Sequence, residues 1–157
     1  MRKKYVITIL LTILFLFLLI ICSYNKNEKM SINKNDKISI KDIINNEHIN
    51  ITKVIIYDGR GGYNKPLTLE NKKKIGTLMD YLYKYVIKKV NYAEPAVGWS
   101  HKVILYDGDK EVMSIILNNP LEINNEYYSI LEGTLDSEEI DKLINSIDKN
   151  WSIMPYS

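Results

Sequence analysis

Cysteine and histidine are scarce in this chain, and their scarcity excludes several kinds of site. Its 157 residues include one cysteine, Cys22, and two histidines, His48 and His101. A single thiol can form neither an intrachain disulfide nor a thiolate metal cluster. The histidines lie in unrelated segments and, even with Glu47 beside the first, lack the paired local spacing of zinc sites. We therefore expect no bound metal and no cofactor.

The common nucleophile and phosphate-binding motifs are also missing. Ser100 precedes His101, but no Gly-x-Ser-x-Gly surrounds it,. Because neighbouring residues on a strand point to opposite faces, the two are not expected to pair. The loop at 59–62 (Gly-Arg-Gly-Gly) could offer amides and a guanidinium to an anion,. It does not match the phosphate loop that opens into a helix. The sequence thus predicts no catalytic residues and no enzyme.

A strong excess of charge of either sign is absent as well. The formal net charge is +2, but three of the 21 basic residues precede residue 22 and all 19 acidic residues follow it. Beyond residue 22 there are 18 basic and 19 acidic residues, a net charge of −1. Nucleic-acid binding needs a concentrated positive face. We therefore expect no nucleic-acid partner and no strong attraction to anionic lipids.

The most informative segment that is present is the apolar run at 5–22. Arg2, Lys3 and Lys4 precede it, and only two threonines interrupt it. At 1.5 Å per residue, a helix of this length spans roughly 27 Å, close to the hydrocarbon thickness of a bilayer. The preceding positive charges favour a cytoplasmic N-terminus. The sequence predicts a single-pass anchor in the cell membrane at 1–22, with residues 5–22 in the bilayer and the rest of the chain extracytoplasmic.

Two alternatives for this segment stay open. A cleaved secretory signal has a shorter apolar region followed by small residues, whereas this run ends in Leu19, Ile20 and Ile21,. A bacterial lipoprotein would carry its lipid on a cysteine placed as Cys22 is. Leu19 suits that pattern, but Ile21 is bulkier than the Gly, Ala or Ser that usually precedes the cysteine. The uncleaved anchor is therefore favoured over lipidation at Cys22 and over secretion.

The remainder of the chain divides into a polar tether at 23–37 and one domain at 38–157. Periodicity and capping residues predict helices at 39–46, 69–89 and from 136 or 137 to about 150. Alternation and turn signals predict strands at 51–57, 102–106, 111–117, 121–123 and 126–131. Together these elements predict an α+β fold. We expect an antiparallel sheet of four or five strands packed by one long helix, with a C-terminal helix and the N-terminal transmembrane helix in addition.

Part of this pattern resembles a known group of proteins. The features are the strand Ile-Thr-Lys-Val-Ile-Ile at 51–56, an Asp-Gly turn with further glycines, a capped helix, and a meander containing Asn-Glu-Tyr-Tyr-Ser-Ile. Over about 50–131 the chain resembles small uncharacterised extracytoplasmic domains found behind lipoprotein signals or membrane anchors in Gram-positive bacteria. The resemblance implies a fold type and a location, and it transfers no catalytic residues.

Tyrosine is the most abundant aromatic residue, and several aromatic side chains could form a binding groove. Rings of this kind are favoured at interfaces, although the simpler interpretation is that they close the layer between helix and sheet. The candidates are Tyr81, Tyr85, Tyr92, Trp99, Tyr127 and Tyr128. We take Tyr81, Tyr85 and Trp99 as the candidate partner-binding residues. The leading hypothesis is a membrane-anchored, non-enzymatic binding or accessory module for an envelope protein, peptide or glycan. The alternative is an envelope hydrolase or an inhibitor of one.

Overall fold

The structure is a computed structural model that describes residues 37–61, 63–91 and 98–154. The predicted anchor at 1–22, the candidate lipidation site Cys22, nearly all of the tether at 23–37, and Tyr92 lie outside these ranges. Within them, no helix is long and apolar enough to cross a membrane. The anchor and the tether therefore stay predictions from the sequence.

The described domain is built on one antiparallel sheet of eight strands. The strands lie in the order β1-β4-β8-β7-β6-β5-β2-β3. Three short helices accompany them: α1 (Ile40–Asn46), α2 (Lys72–Leu82) and α3 (Ser137–Ile147). The strands are β1 (Ile38–Ser39), β2 (Lys53–Asp58), β3 (Leu67–Leu69), β4 (Val86–Lys89), β5 (His101–Asp107), β6 (Lys110–Leu117), β7 (Leu121–Ile123) and β8 (Glu126–Glu132).

The predicted α+β fold, with four or five strands and one long helix, is wrong. The segment predicted as a helix at 69–89 contains the end of β3, the 11-residue helix α2, and β4. Asn71 caps α2, and its side chain accepts two backbone N–H groups of the first turn. The helix ends at Leu82, and the β-branched Val86 then pairs with both β1 and β8. Val86 follows Leu82 by four residues, which is the spacing of the apolar stripe of α2. Periodicity alone therefore predicted one helix where a helix and a strand follow each other.

Several local predictions are confirmed. Ser39 caps α1 and forms a capping box with Asp42,. The turn between β7 and β8 consists of Asn124 and Asn125, both with positive φ, as a two-residue hairpin turn requires,. Asp136 caps α3, its carboxylate accepting from the backbone N–H groups of Glu138 and Glu139. The helix ends at 147 rather than near 150. Short-range signals therefore located these two helix starts and this turn, whereas the cap of α2, expected at Thr68, is Asn71.

The core lies on one face of the sheet, where alternate residues of the central strands are buried. Burial of each large apolar side chain stabilises the fold by about 1.5–3 kcal/mol. The strands contribute Val54, Ile56, Val103, Leu105, Met113, Ile115, Leu117, Leu121 and Ile123. The helices contribute Ile75, Leu78, Met79 and Leu82 from α2, and Ile140, Ile144 and Ile147 from α3. Among these apolar residues of α3 lies Asp141, which is completely buried.

Candidate functional site

A cluster of charged side chains is buried where β2 ends, β5 begins and α3 packs. Asp58 ends β2 and pairs in register with His101, the first residue of β5. Arg60 follows β2, and Asp141 comes from α3. The side chains of Asp58, His101 and Asp141 have no exposed surface, and that of Arg60 is 17% exposed. Buried charges are tolerated only when they are paired and hydrogen-bonded.

Arg60 binds both carboxylates with its guanidinium. Nε and Nη2 donate to Asp58 at 2.8 and 3.0 Å, and Nη1 and Nη2 donate to Asp141 at 2.9 and 2.8 Å. Such paired, charge-assisted bonds are among the strongest that side chains make. Burial alone would raise the pKa of Asp58, but hydrogen bonds from Arg60 and Asn64 outweigh it and lower that pKa. The guanidinium of Arg60 thus points inward, which argues against the anion site considered from the sequence.

Asp141 is the centre of the cluster. Besides Arg60, its carboxylate accepts hydrogen bonds from His101 Nε2 at 3.0 Å, Trp151 Nε1 at 2.8 Å and the backbone N–H of Met154 at 3.1 Å. Burial opposes ionisation, but these bonds, led by that of Arg60, hold the pKa of Asp141 well below its usual range. Asp141 is therefore ionised throughout the physiological range and fastens the end of the chain to the sheet.

The segment after α3 folds back onto the domain. Trp151 is only 3% exposed. Asn64 forms two hydrogen bonds with the backbone of Ser152, its Nδ2 donating to the carbonyl at 3.1 Å and its Oδ1 accepting from the N–H at 2.7 Å. Residues 151–154 are therefore held against the domain by a buried indole and by hydrogen bonds.

A series of hydrogen bonds leads from this carboxylate to the surface. The ionised carboxylate of Asp141 can only accept, and both hydrogens of Arg60 Nη2 are already bound by Asp58 and Asp141. We therefore assign the proton of the neutral His101 ring to Nε2, whose N–H donates a hydrogen bond to Asp141,. His101 Nδ1 then accepts from the hydroxyl of Ser100 at 3.1 Å, and Ser137 Oγ donates to Ser100 Oγ at 3.0 Å. Burial lowers the pKa of His101. The imidazole is therefore neutral at pH 7.

The expectation that Ser100 and His101 point apart is wrong. Strand β5 begins at His101, and Ser100 lies in the bend that precedes it. Strand alternation therefore does not apply to this pair of neighbours.

Ser100 lines a surface cleft of about 600 Å³ beside the buried cluster. Trp99 is half-buried there, and its indole covers Gly59 so closely that a Cβ on this glycine would lie 2.5 Å from ring atom Cε3. Most other groups of the cleft are hydroxyls, amides and backbone. The lining residues are Gly59, Arg60, Gly98, Trp99, Ser100, Leu117, Asn118, Asn119, Leu135 and Ser137.

The structure does not bring the three predicted partner-binding residues into one groove. Trp99 lies in the cleft, whereas Tyr81 and Tyr85 pack edge to face, with ring centroids 5.7 Å apart, and do not line it. Tyr85 is only 2% exposed; its hydroxyl donates to the Thr134 carbonyl at 3.1 Å and shares a hydrogen bond with the hydroxyl of Tyr81 at 2.8 Å. Tyr85 follows the end of α2, so it belongs to the core and not to a helix surface.

The other aromatic and histidine candidates are also dispersed. Tyr128 is buried and Tyr127 is half-buried on β8. His48 is exposed on the turn after α1, whereas His101 is buried. In the described part of the chain, no three histidine, cysteine or acidic residues are grouped so that they could hold a metal ion.

Sequence reasoning did not find Asp58, Asn64, Asp141 or Trp151. Asp141 is 81 residues from its partner Arg60, and no local spacing connects them. One signal was available, since an acidic residue beside Ile140 and Ile144 lies at the edge of the apolar stripe of an amphipathic helix. A charge at such a position requires a buried partner.

Comparison with known proteins gives no match to a family model, to a curated protein or to a solved structure.

Proposed function

We propose that this chain is a membrane-tethered, extracytoplasmic binding domain whose ligand site is the cleft beside Trp99. The observation that carries the proposal is the half-buried indole facing a cleft of hydroxyl and amide groups. An aromatic surface supplies contact area at low entropic cost, and a few placed polar groups orient a ligand.

The chemistry of the cleft favours an uncharged, hydroxyl-rich ligand. Among the described residues that line it, only Arg60 is charged, and Asp58 and Asp141 already bind its guanidinium. Ser100, Ser137 and the amides at 118–119 can exchange hydrogen bonds with sugar hydroxyls, while the indole covers the apolar face of a sugar ring. We therefore propose a glycan of the cell envelope as the ligand, with a peptide as the competing outcome.

The predicted tether supports an envelope ligand. Residues 23–37 are polar and rich in Asn and Lys. A flexible segment of this length has a root-mean-square span of roughly 20 Å. Downstream of an anchor at 1–22, it would hold the domain close to the outer surface of the membrane. The cleft would then meet wall glycans at high local concentration, so modest affinity would suffice.

Fluorescence of Trp99 tests this proposal. The full chain in detergent micelles is titrated with oligosaccharide fragments of the cell-wall glycan and, separately, with the corresponding peptide stems. We expect the glycan to bind and Trp99→Ala to weaken its binding at least about tenfold. Binding to this variant is measured by calorimetry, because the variant lacks the indole whose fluorescence reports binding. Tyr63→Ala is the matched control, since Tyr63 is 68% exposed and lies outside the cleft.

Two results would contradict the proposal. Unchanged glycan affinity in a folded Trp99→Ala variant would remove Trp99 from the site. Binding of the peptide stems alone would assign a different class of ligand.

A second candidate, an envelope hydrolase, is favoured by a separate observation. The hydrogen-bonded series from Ser100 through His101 to Asp141 opens into this same cleft.

A further inference from the structure

We propose that Ser100 is an activated nucleophile that can take an acyl group from a molecule bound in the cleft. The inference rests on the cleft being a ligand site, but it does not depend on the ligand being a glycan. It is carried by the arrangement of three side chains, Ser100, His101 and Asp141, whose contacts follow the order of nucleophile, base and orienting carboxylate.

His101 has the tautomer and position of a general base. Its Nε2 donates to Asp141 at 3.0 Å, which leaves the Nδ1 lone pair directed at the Ser100 hydroxyl at 3.1 Å. Both distances fall within the reach that proton transfer requires. In the familiar serine hydrolases, Nε2 accepts the serine proton and the N–H of Nδ1 donates to the carboxylate. Here the two nitrogens have the opposite roles, but the chemistry needs only one acceptor nitrogen and one oriented N–H.

The charges around His101 balance when it takes a proton. Asp58 and Asp141 carry two negative charges, and Arg60 carries one positive charge 3.3 Å from His101 Nε2. With a neutral imidazole the cluster therefore has a net charge of −1, and an imidazolium would bring it to zero. Arg60 opposes protonation, whereas the carboxylate of Asp141, which is in direct contact, supports it.

Ser100 is the member of the series that a substrate can reach. It is half-buried and lines the cleft, whereas His101 and Asp141 are completely buried. Ser137, the first residue of α3, donates to Ser100 Oγ at 3.0 Å.

The proposed step is an acyl transfer. Ser100 Oγ forms a bond to the carbonyl carbon of an ester while its proton moves to His101 Nδ1. The bond from the carbonyl carbon to the leaving oxygen breaks, and the alcohol departs with the proton returned by Nδ1. Water then releases the acid by the reverse sequence of proton transfers, which restores the hydroxyl of Ser100 and the neutral imidazole.

A fluorophosphonate probe tests whether Ser100 is activated. The full chain in detergent micelles is incubated with the probe at pH 8, and intact mass with peptide mapping locates the adduct. We expect one adduct, on Ser100, formed with loss of fluoride. Labelling should disappear in Ser100→Ala and fall at least about 100-fold in His101→Gln. It should stay unchanged in Ser146→Ala, an exposed serine on α3.

The rate of labelling should also fall as the pH is lowered and His101 takes a proton. Peptide mapping and this pH profile use the unmodified chain, so they hold even if a variant fails to fold. Absence of an adduct, an adduct on another residue, or labelling that persists in Ser100→Ala would overturn the proposal. Glycan binding measured in the same preparation separates the two proposals, because binding without an adduct refutes only the activated serine.

Discussion

Replacing Asp141 with asparagine keeps the shape of the side chain but changes one acceptor oxygen into an amide donor. Oδ1 accepts from Arg60 Nη2, His101 Nε2 and Trp151 Nε1, and Oδ2 accepts from Arg60 Nη1 and the backbone of Met154. All five contacts require an acceptor. Whichever position the amide occupies, at least two buried donors face another donor, and Arg60 loses one of its two carboxylates.

The magnitude follows from these losses. A hydrogen bond to a charged group contributes about 1.5–3 kcal/mol, so two such bonds account for about 3–6 kcal/mol. Breaking a buried ion pair by removing one partner costs a similar amount, about 3–5 kcal/mol. A domain of this size has a free energy of unfolding of about 5–15 kcal/mol. We therefore expect Asp141→Asn to remove about 3–5 kcal/mol, a large part of the total.

Urea denaturation of the full chain, followed by far-UV circular dichroism, measures this loss. With a slope of about 1–3 kcal/mol per molar urea, the midpoint should fall by at least about 1 M. Asp80→Asn is the matched control, because Asp80 is exposed on α2, and its midpoint should stay near that of the parent chain. If the two variants had equal midpoints, the reasoning from buried donors would be refuted.

Two further predictions concern protonation and processing. Burial lowers the pKa of His101 in the folded state. The stability contributed by the neutral imidazole is therefore fully present above about pH 6.5 and is lost as the pH falls towards the folded pKa. The free energy of unfolding should fall by up to about 1.4 kcal/mol per pH unit in this range. Urea midpoints between pH 8 and 5 should show this loss in the parent chain and in His48→Asn, but not in His101→Gln, and a flat profile in the parent chain would contradict it. Intact-mass analysis of the native protein should find the N-terminus retained in a membrane fraction, whereas a species that begins at Cys22 with added diacylglycerol would establish the lipoprotein alternative.

The parts of the fold that could be predicted are those governed by neighbouring residues. Ser39 identified a helix start, and Asn124 with Asn125 identified a hairpin. These signals act over two to four residues, so tertiary context seldom overrides them. The number of strands could not be obtained in this way. Strands β1, β3 and β4 have two to four residues each, too few for alternation to distinguish them from loops or helix ends.

The candidate site was less predictable than the fold because its contacts are long-range. Trp99 could be proposed from its chemistry alone, and the structure places it in a cleft. The pairing of Arg60 with Asp141 depends on how α3 packs against the sheet, which no local pattern specifies. Tyr85 shows the opposite error, since an aromatic residue counted as a binding candidate is a core residue once α2 ends at Leu82.

The position of His101 bears on whether the cluster has a role beyond stability. A structural fastening of the chain end to the sheet requires Asp141, Arg60 and Trp151, and these already supply three side-chain hydrogen bonds to the carboxylate. His101 adds a fourth side-chain donor, and its burial in the folded state costs stability below pH 6.5,. What the histidine contributes in return is a connection from the ionised carboxylate to the hydroxyl of Ser100 at the surface. The ring of His101 also stacks on Trp151 with centroids 6.1 Å apart, which serves the fastening. The connection to Ser100 is the part of the arrangement that the proposed nucleophile requires.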